Sequence, residues 1–258
     1  MRKRCCLVFL ALAAHAISAR ASVLESFNYP AGTNNIAGLN GGTGFSGVYN
    51  AGGGSITAGS LSFGPLDTFG NKLTTAPGPN LIVRSLDAAD TFANGSTFYV
   101  SFLLRWDGTQ SGNWGGLQLI GNGPAQLFIG HPGSNIPDYS IERAAADATA
   151  QQSSVPVLNG QTALLVARVQ LVSGNDTVRL YVNPIPDQPE PSTGSAPDLT
   201  RQDFGTISQL GISTSDAYSI DEIRLGLTYA SVVPAPEPGA VSAMIIGACG
   251  LLLRPRRR

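Results

Sequence analysis

From Thr97 to Trp106 the side chains alternate with a period of two. Phe98, Val100, Phe102, Leu104 and Trp106 fall on one face, and Tyr99, Ser101 and Arg105 on the other, with Leu103 breaking the polarity. Gln161–Val172 and Thr177–Asn183 repeat the pattern around Ser173-Gly174-Asn175-Asp176, the layout of a hairpin. Its inward positions are Leu165, Ala167, Val169 and Leu171 on one arm and Val178, Leu180 and Val182 on the other. Ser219–Tyr229 reads as a closing strand with Ile223, Leu225, Leu227 and Tyr229 on one side, whereas Ile141–Gln152 fits a helix or a strand equally well. Asn-Gly pairs at 40–41, 94–95, 122–123 and 159–160 supply the positive φ that tight turns need. Many short strands with frequent turns predict an all-β sandwich or barrel.

The two ends of the chain follow other patterns. Arg2, Lys3 and Arg4 precede an apolar run from Cys5 to Ile17, and Ala19-Arg20-Ala21 forms an A-x-A site. This is the layout of a secretory signal peptide covering 1–21, with Ser22 as the first mature residue. At the other end, Pro234-Ala235-Pro236-Glu237-Pro238 reads as a stiff spacer. The uncharged span 239–253 and then Arg254, Arg256, Arg257 and Arg258 follow it. As a helix, 15 residues reach about 22 Å, short of a hydrocarbon core of about 30 Å. The arginines fit the positive-inside rule and would stop translocation.

Charge and cysteine follow the same partition. Eight of the 16 basic residues lie in the two ends, which leaves eight against 17 acidic residues in the exported part, an excess of nine acids. An acidic body with no basic stripe is not expected to bind nucleic acid. Cys5, Cys6 and Cys249 are the only cysteines, so the body, 22–233, must be stable without disulfides.

The Pro236-Glu237-Pro238 motif, the short apolar span and the basic end resemble, in that order, the PEP-CTERM sorting signal of Gram-negative bacteria. The resemblance implies an exosortase-type membrane protease as partner and a transient stay in the inner membrane. Delivery to the cell surface or extracellular matrix would follow. Three stretches of the body are also similar to PEP-CTERM surface proteins. They are Glu25–Gly32 with Asn40–Gly47, Val166-Ala167-Arg168 with Gly174–Pro184, and Asp221–Gly226 before Val232-Val233-Pro234. The last of these resembles the end of concanavalin-like, LamG-type jelly rolls, which implies a two-sheet jelly-roll β-sandwich of roughly ten or more strands.

Candidate chemistry is sparse. Gly42-Thr43-Gly44-Phe45-Ser46-Gly47 matches a dinucleotide fingerprint, but Gly52-Gly53-Gly54 follows instead of a helix, so a flexible glycine loop is expected. His131 is the only histidine outside the signal, no G-x-S-x-G accompanies it, and a surface position is expected. Laminarinase-like jelly rolls carry E-x-D-x-x-E on one strand, and that pattern is absent. Asp221 and Glu222 are adjacent, so on a regular strand they point to opposite faces and do not cooperate. Trp114, in a polar loop, and Tyr139 are the candidate glycan contacts, while Trp106 shares a face with core residues. Asp107 and Asn113 offer oxygens to Ca²⁺, which takes six to eight such ligands, so neither a cofactor nor a required metal is expected. The reading reached is an exported, surface-sorted, non-catalytic β-sandwich associated with extracellular matrix or polysaccharide. A surface glycosidase and a membrane-anchored structural protein without ligand remain the alternatives.

Overall fold

The computed structural model describes residues 21–109, 112–133 and 136–234. Ala19, the Pro236-Glu237-Pro238 motif, the expected helix over 239–253 and the arginines at 254 and 256–258 lie outside the described residues. Among those residues no helix is long and apolar enough to cross a membrane. The strands in chain order are β1 (Val23–Glu25), β2 (Phe45–Ser46), β3 (Gly54–Thr57), β4 (Lys72–Thr75), β5 (Asn80–Leu86), β6 (Thr97–Trp106), β7 (Gly115–Gly121) and β8 (Leu127–His131). They continue with β9 (Asp138–Arg143), β10 (Gln151–Pro156), β11 (Thr162–Gln170), β12 (Asp176–Val182), β13 (Leu199–Gln202), β14 (Ile207–Thr214) and β15 (Tyr218–Gly226). One helical turn, α1 (Tyr229–Val232), follows.

The strands form two antiparallel sheets packed face to face as a jelly-roll-like sandwich. Sheet A has eight strands in the order β13-β12-β11-β6-β15-β4-β3, with β1 also paired to β15. Sheet B has seven, in the order β10-β9-β8-β7-β14-β5-β2. The predicted hairpin is β11–β12, with Leu165 opposite Val182 and Val169 opposite Val178. Phe98, Val100, Phe102 and Leu104 face the inter-sheet core together with Leu165, Ala167 and Val169 of β11 and Leu117, Ile129, Ile141 and Ile212 of sheet B. The undecided stretch 141–152 is the end of β9, a turn and the start of β10.

Leu103 breaks the alternation because the outer face of sheet A is covered as well. A second buried cluster joins Leu103, Tyr99, Leu164, Val166 and Tyr181 of the sheet to Leu61 and Leu66 of one crossing loop and Tyr229, Val232 and Val233 of the C-terminal segment. This corrects the expected closing strand. It ends at Gly226, Leu227 is 69% exposed, and Tyr229 turns onto the outer face instead of joining Ile223 and Leu225 inside.

A β-bulge lies in the middle of β15. The β15–β6 register shifts between Asp221 and Arg224, and Glu222 has φ +52°. The bulge overturns the expectation that Asp221 and Glu222 act apart, because both hold the same crossing loop. Asp221 accepts from Ser60 Oγ (2.5 Å) and Leu61 N–H (2.8 Å), and Glu222 accepts from Phe69 N–H (2.7 Å). Arg224 pairs with Glu222 at 2.6 Å and donates to the Asp67 carbonyl. The Asp67 N–H in turn reaches the Pro234 carbonyl at 3.4 Å.

Candidate functional site

The outer face of sheet B is built differently from that of sheet A, since neither buried cluster includes its residues Leu81, Val83, Ile120 or Phe128. Pairing registers align its side chains in rows. One row runs Leu81, Ser213, Gly116, Gly130, Ser140, Gln152 across β5, β14, β7, β8, β9 and β10. The next runs Val83, Gly211, Gln118, Phe128, Glu142. At about 4.8 Å per strand the first row extends about 24 Å. It forms a trough because its middle positions are small. Gly116 and Gly130 have no room for a side chain, since a Cβ at Gly116 would lie 2.9 Å from Gly130 Cα. In the floor, Ser140 is fully buried, and its Oγ has no hydrogen-bond partner among the described residues.

The trough has an apolar side and a polar side. Trp114 is half-buried; its N–H donates to Ser215 Oγ (2.9 Å) and its indole Nε1–H to Ser213 Oγ (3.3 Å), which places the ring on this face. At Gly211 the side chains of Leu81, Ile120 and Gln118 converge, with a Cβ there 3.1 Å from Leu81 Cδ1 and 3.3 Å from Ile120 Cδ1. Leu81 is 48% exposed. Gln118 Nε2 donates to Gln126 Oε1, and Gln209 Nε2 to Ser85 Oγ. Exposed apolar edges beside oriented amides and hydroxyls suit a ligand with apolar C–H faces and a rim of hydroxyl groups. Asp138, Ser140 and Glu142 share this face by alternation, because Tyr139 and Ile141 point into the core.

Of the residues singled out in the sequence, Trp114 lies at the trough. Tyr139 does not: it is 2% exposed, packs between the sheets and is pushed up to about 12 by burial, so it makes no glycan contact. Asp107 is held by Arg105 (2.6 Å) and Ser219 Oγ (2.6 Å), while Asn113 is half-buried beside Trp114. Among the described residues no group of three or more His, Cys, Asp or Glu side chains gathers as metal ligands. His131 is buried rather than on the surface. Its Nδ1 is 2.6 Å from Tyr218 Oη, and burial lowers its pKa. Burial also holds the Tyr218 phenol well above its usual range, so the phenol keeps its proton in this contact. Trp106 donates from Nε1 to Asp216 Oδ2 at 3.1 Å and packs against the core.

The glycine region from 42 to 47 is a fitted segment, not a flexible loop. Thr43 bridges to Leu24, and a Cβ at Gly42 would lie 2.6 Å from the Leu24 carbonyl oxygen. The trough residues Gln118, Ser140 and Glu142 escaped sequence reading. Their signal was the alternation around Leu117/Leu119, Leu127/Ile129 and Tyr139/Ile141, which also reveals β7, β8 and β9.

No protein-family model matches the chain, and no curated protein matches it. Similar solved structures include an endo-β-1,4-glucuronan lyase from the fungus Trichoderma reesei, at 14% identity and TM-score 0.48 over 80% of this chain and 99% of that one. An endo-1,3-β-glucanase from Streptomyces sioyaensis matches at 11% identity and TM-score 0.46, over 82% and 97% of the two chains. The T. cruzi calreticulin globular domain matches at 10% identity and TM-score 0.47, over 90% and 98%. Other matches are longer proteins, of which this chain spans 22–42%. At these identities and TM-scores below 0.5, they assign this chain no activity. The lyase, the glucanase, and the glycoside hydrolases and sialidases among the other matches nevertheless correct the expectation of a non-catalytic body, and catalysis is not set aside.

Proposed function

We propose that the chain is an exported, surface-sorted β-sandwich that contacts polysaccharide along the trough of sheet B. The observation that carries this reading is the half-buried Trp114 ring, fixed by its Nε1–H bond to Ser213 Oγ at a row of small residues, Ser213, Gly116 and Gly130. The test is affinity electrophoresis in gels containing laminarin, xylan or hydroxyethyl cellulose. Retardation by at least one polymer is expected, with Trp114→Ala weakening it about tenfold, as the loss of a stacking ring would, and Tyr139→Phe leaving it unchanged. Equal retardation of Trp114→Ala and wild type would remove the trough from the account.

A specific observation favours glycoside cleavage as a second reading. Asp138 and Glu142 stand on the trough face of one strand, with Cα atoms about 13 Å apart by strand rise. Cleavage needs two carboxyl groups roughly 5–10 Å apart, a gap that side chains leaning toward each other would span. Release of reducing ends, abolished by Glu142→Gln, is the expected result of that chemistry, and a wild-type chain releasing none excludes it.

Export and sorting rest on the two ends of the sequence. Among the described residues the first tied into the sheets is Ser22, whose N–H donates to the Leu225 carbonyl at 3.0 Å, which supports a mature start after Ala21. Release of the body from the membrane only in a host carrying an exosortase, and its retention when Pro236, Glu237 and Pro238 are replaced by alanine, are the expected outcomes. A body that stays full-length and membrane-bound in both hosts leaves a plain anchor.

A further inference from the structure

The three glycines at 52–54 have a role on the opposite sheet. Gly54 begins β3, the edge strand of sheet A, and residues 52–54 line a cleft of about 430 Å³ together with Asn34, Asn35, Ser55, Thr74 and Thr75. The cleft follows from how the chain leaves the edge. Gly32 N–H donates to the Ile56 carbonyl (2.9 Å) and Ile56 N–H to the Thr33 carbonyl (2.8 Å), so residues 32–33 line the edge only at Ile56. The chain then turns at Asn35, whose Oδ1 accepts from Ala37 N–H at 2.8 Å, and the edge beside Gly54 is left to the cleft.

The lining is held in place. Thr75 Oγ1 donates to the Asp216 carbonyl (3.0 Å) and accepts from Tyr218 N–H (3.0 Å), and Thr74 Oγ1 accepts from Thr57 Oγ1 (3.0 Å). Asn80 Nδ2 donates to the carbonyls of Ala76 and Gly78, which sets its carboxamide against Gly53; a Cβ at 53 would lie 3.0 Å from Asn80 Cγ, and φ there is +152°. A side chain at 53 would therefore be strained and would displace Asn80.

The chemistry narrows the ligand. The lining residues carry no ionisable side chain, so neither a metal ion nor a phosphate finds a counter-charge. Lys72, on the neighbouring strand, is engaged by the carbonyls of Ala58 and Gly59. The lining has no aromatic and no large aliphatic residue, so a peptide finds no anchor pocket. Carboxamides, hydroxyls and glycine peptide groups remain, which pair with the adjacent donors and acceptors of a polyol. The volume falls within the roughly 300–1,000 Å³ of small-molecule sites. We infer that this cleft binds a neutral saccharide unit, at a site separate from the trough on sheet B.

The test is a titration of the full chain in detergent, labelled with ¹⁵N-glycine, using tetrasaccharides of β-1,4-glucose, β-1,3-glucose and β-1,4-xylose. Saturable shifts of the Gly52, Gly53 and Gly54 amides are expected with at least one of them. Asn34 is exposed, so Asn34→Ala should leave the fold intact while weakening the response at least about fivefold, the effect of one or two lost hydrogen bonds. Ser55→Tyr, which places a ring into the cleft, should abolish it. No saturable shift at Gly52–Gly54 up to about 20 mM saccharide overturns the inference, as does a shift that both variants leave unchanged. Shifts confined to Gly116 and Gly211 overturn it too, while leaving the trough reading of sheet B in place.

Discussion

Glu25 is 1% exposed, yet it stays in the core because four donors converge on it. Phe27 N–H (2.8 Å) reaches Oε1, and Tyr29 Oη (2.9 Å), Tyr49 Oη (3.0 Å) and Arg84 Nη1 (3.2 Å) reach Oε2. Arg84 is buried as well. It donates to the carbonyls of Gly41 (2.6 Å) and Gly47 (3.0 Å), and its guanidinium lies 4.4 Å over the Phe45 ring. Burial raises the Glu25 carboxyl, against the pull of these partners. The stretch from Glu25 to Gly47 is thus tied to Arg84 as one structural network. Arg84→Ala should cost about 3–5 kcal/mol in urea unfolding, because it leaves the carboxylate buried beside two phenols. Arg84→Met combined with Glu25→Gln should recover part of that loss; a double variant no more stable than Arg84→Ala would locate the cost in packing. At this scale the sequence distinguished Trp114 from Trp106 by their surroundings. It misjudged Tyr139 and His131, since parity with Ile141 or Ile129 decides burial and neither strand had been read.

The bulged strand β15 shows where alternation stops informing. All nine of its residues are buried, the polar ones included, because the crossing loop and the C-terminal segment cover its outer side. A period-two pattern describes a strand with one wet face, so it located the strand here and misplaced its end. The bulge also sets a pH dependence. Burial pushes both Asp221 and Glu222 up to about 7 from ordinary values of 3.8 and 4.5, and the charge of Glu222 adds to the rise at Asp221. The folded chain keeps protons that the unfolded chain has released, so this stabilisation is full below about pH 4 and is lost as pH rises through about 7. His131 acts in the opposite sense: held below its usual 6.5 by burial, it removes stability as pH falls below that value. The melting temperature should therefore fall as pH rises from about 4.5 to about 7 and level off above about pH 8, and Asp221→Asn with Glu222→Gln should flatten that fall. An unchanged slope in the double variant would assign it to other groups.

In the same covering cluster, Tyr229 packs edge-on against Tyr99 (6.0 Å) and Tyr181 (5.9 Å), while its hydroxyl has no hydrogen-bond partner among the described residues. Tyr229→Phe should stabilise the chain by about 1 kcal/mol, and Tyr229→Ala should destabilise it by about 3 kcal/mol. A destabilising Tyr229→Phe would mean that the hydroxyl is bonded in solution.

Taken whole, the molecule has two unlike outer faces. Sheet A is closed by its own loops and C-terminal segment, and sheet B carries the trough. The two-layer architecture was legible from alternation and turn residues. The difference between the faces was not, because it depends on which loops fold back over which sheet, and residues 58–69 carry no strand or helix pattern to announce their path. The last described residue, Pro234, leaves from the sheet A side, where its carbonyl meets Asp67. A chain moored by whatever follows Pro234 would therefore rest with its closed back toward the mooring. Its trough would look outward, toward passing polymer, and no hinge would be needed to aim it.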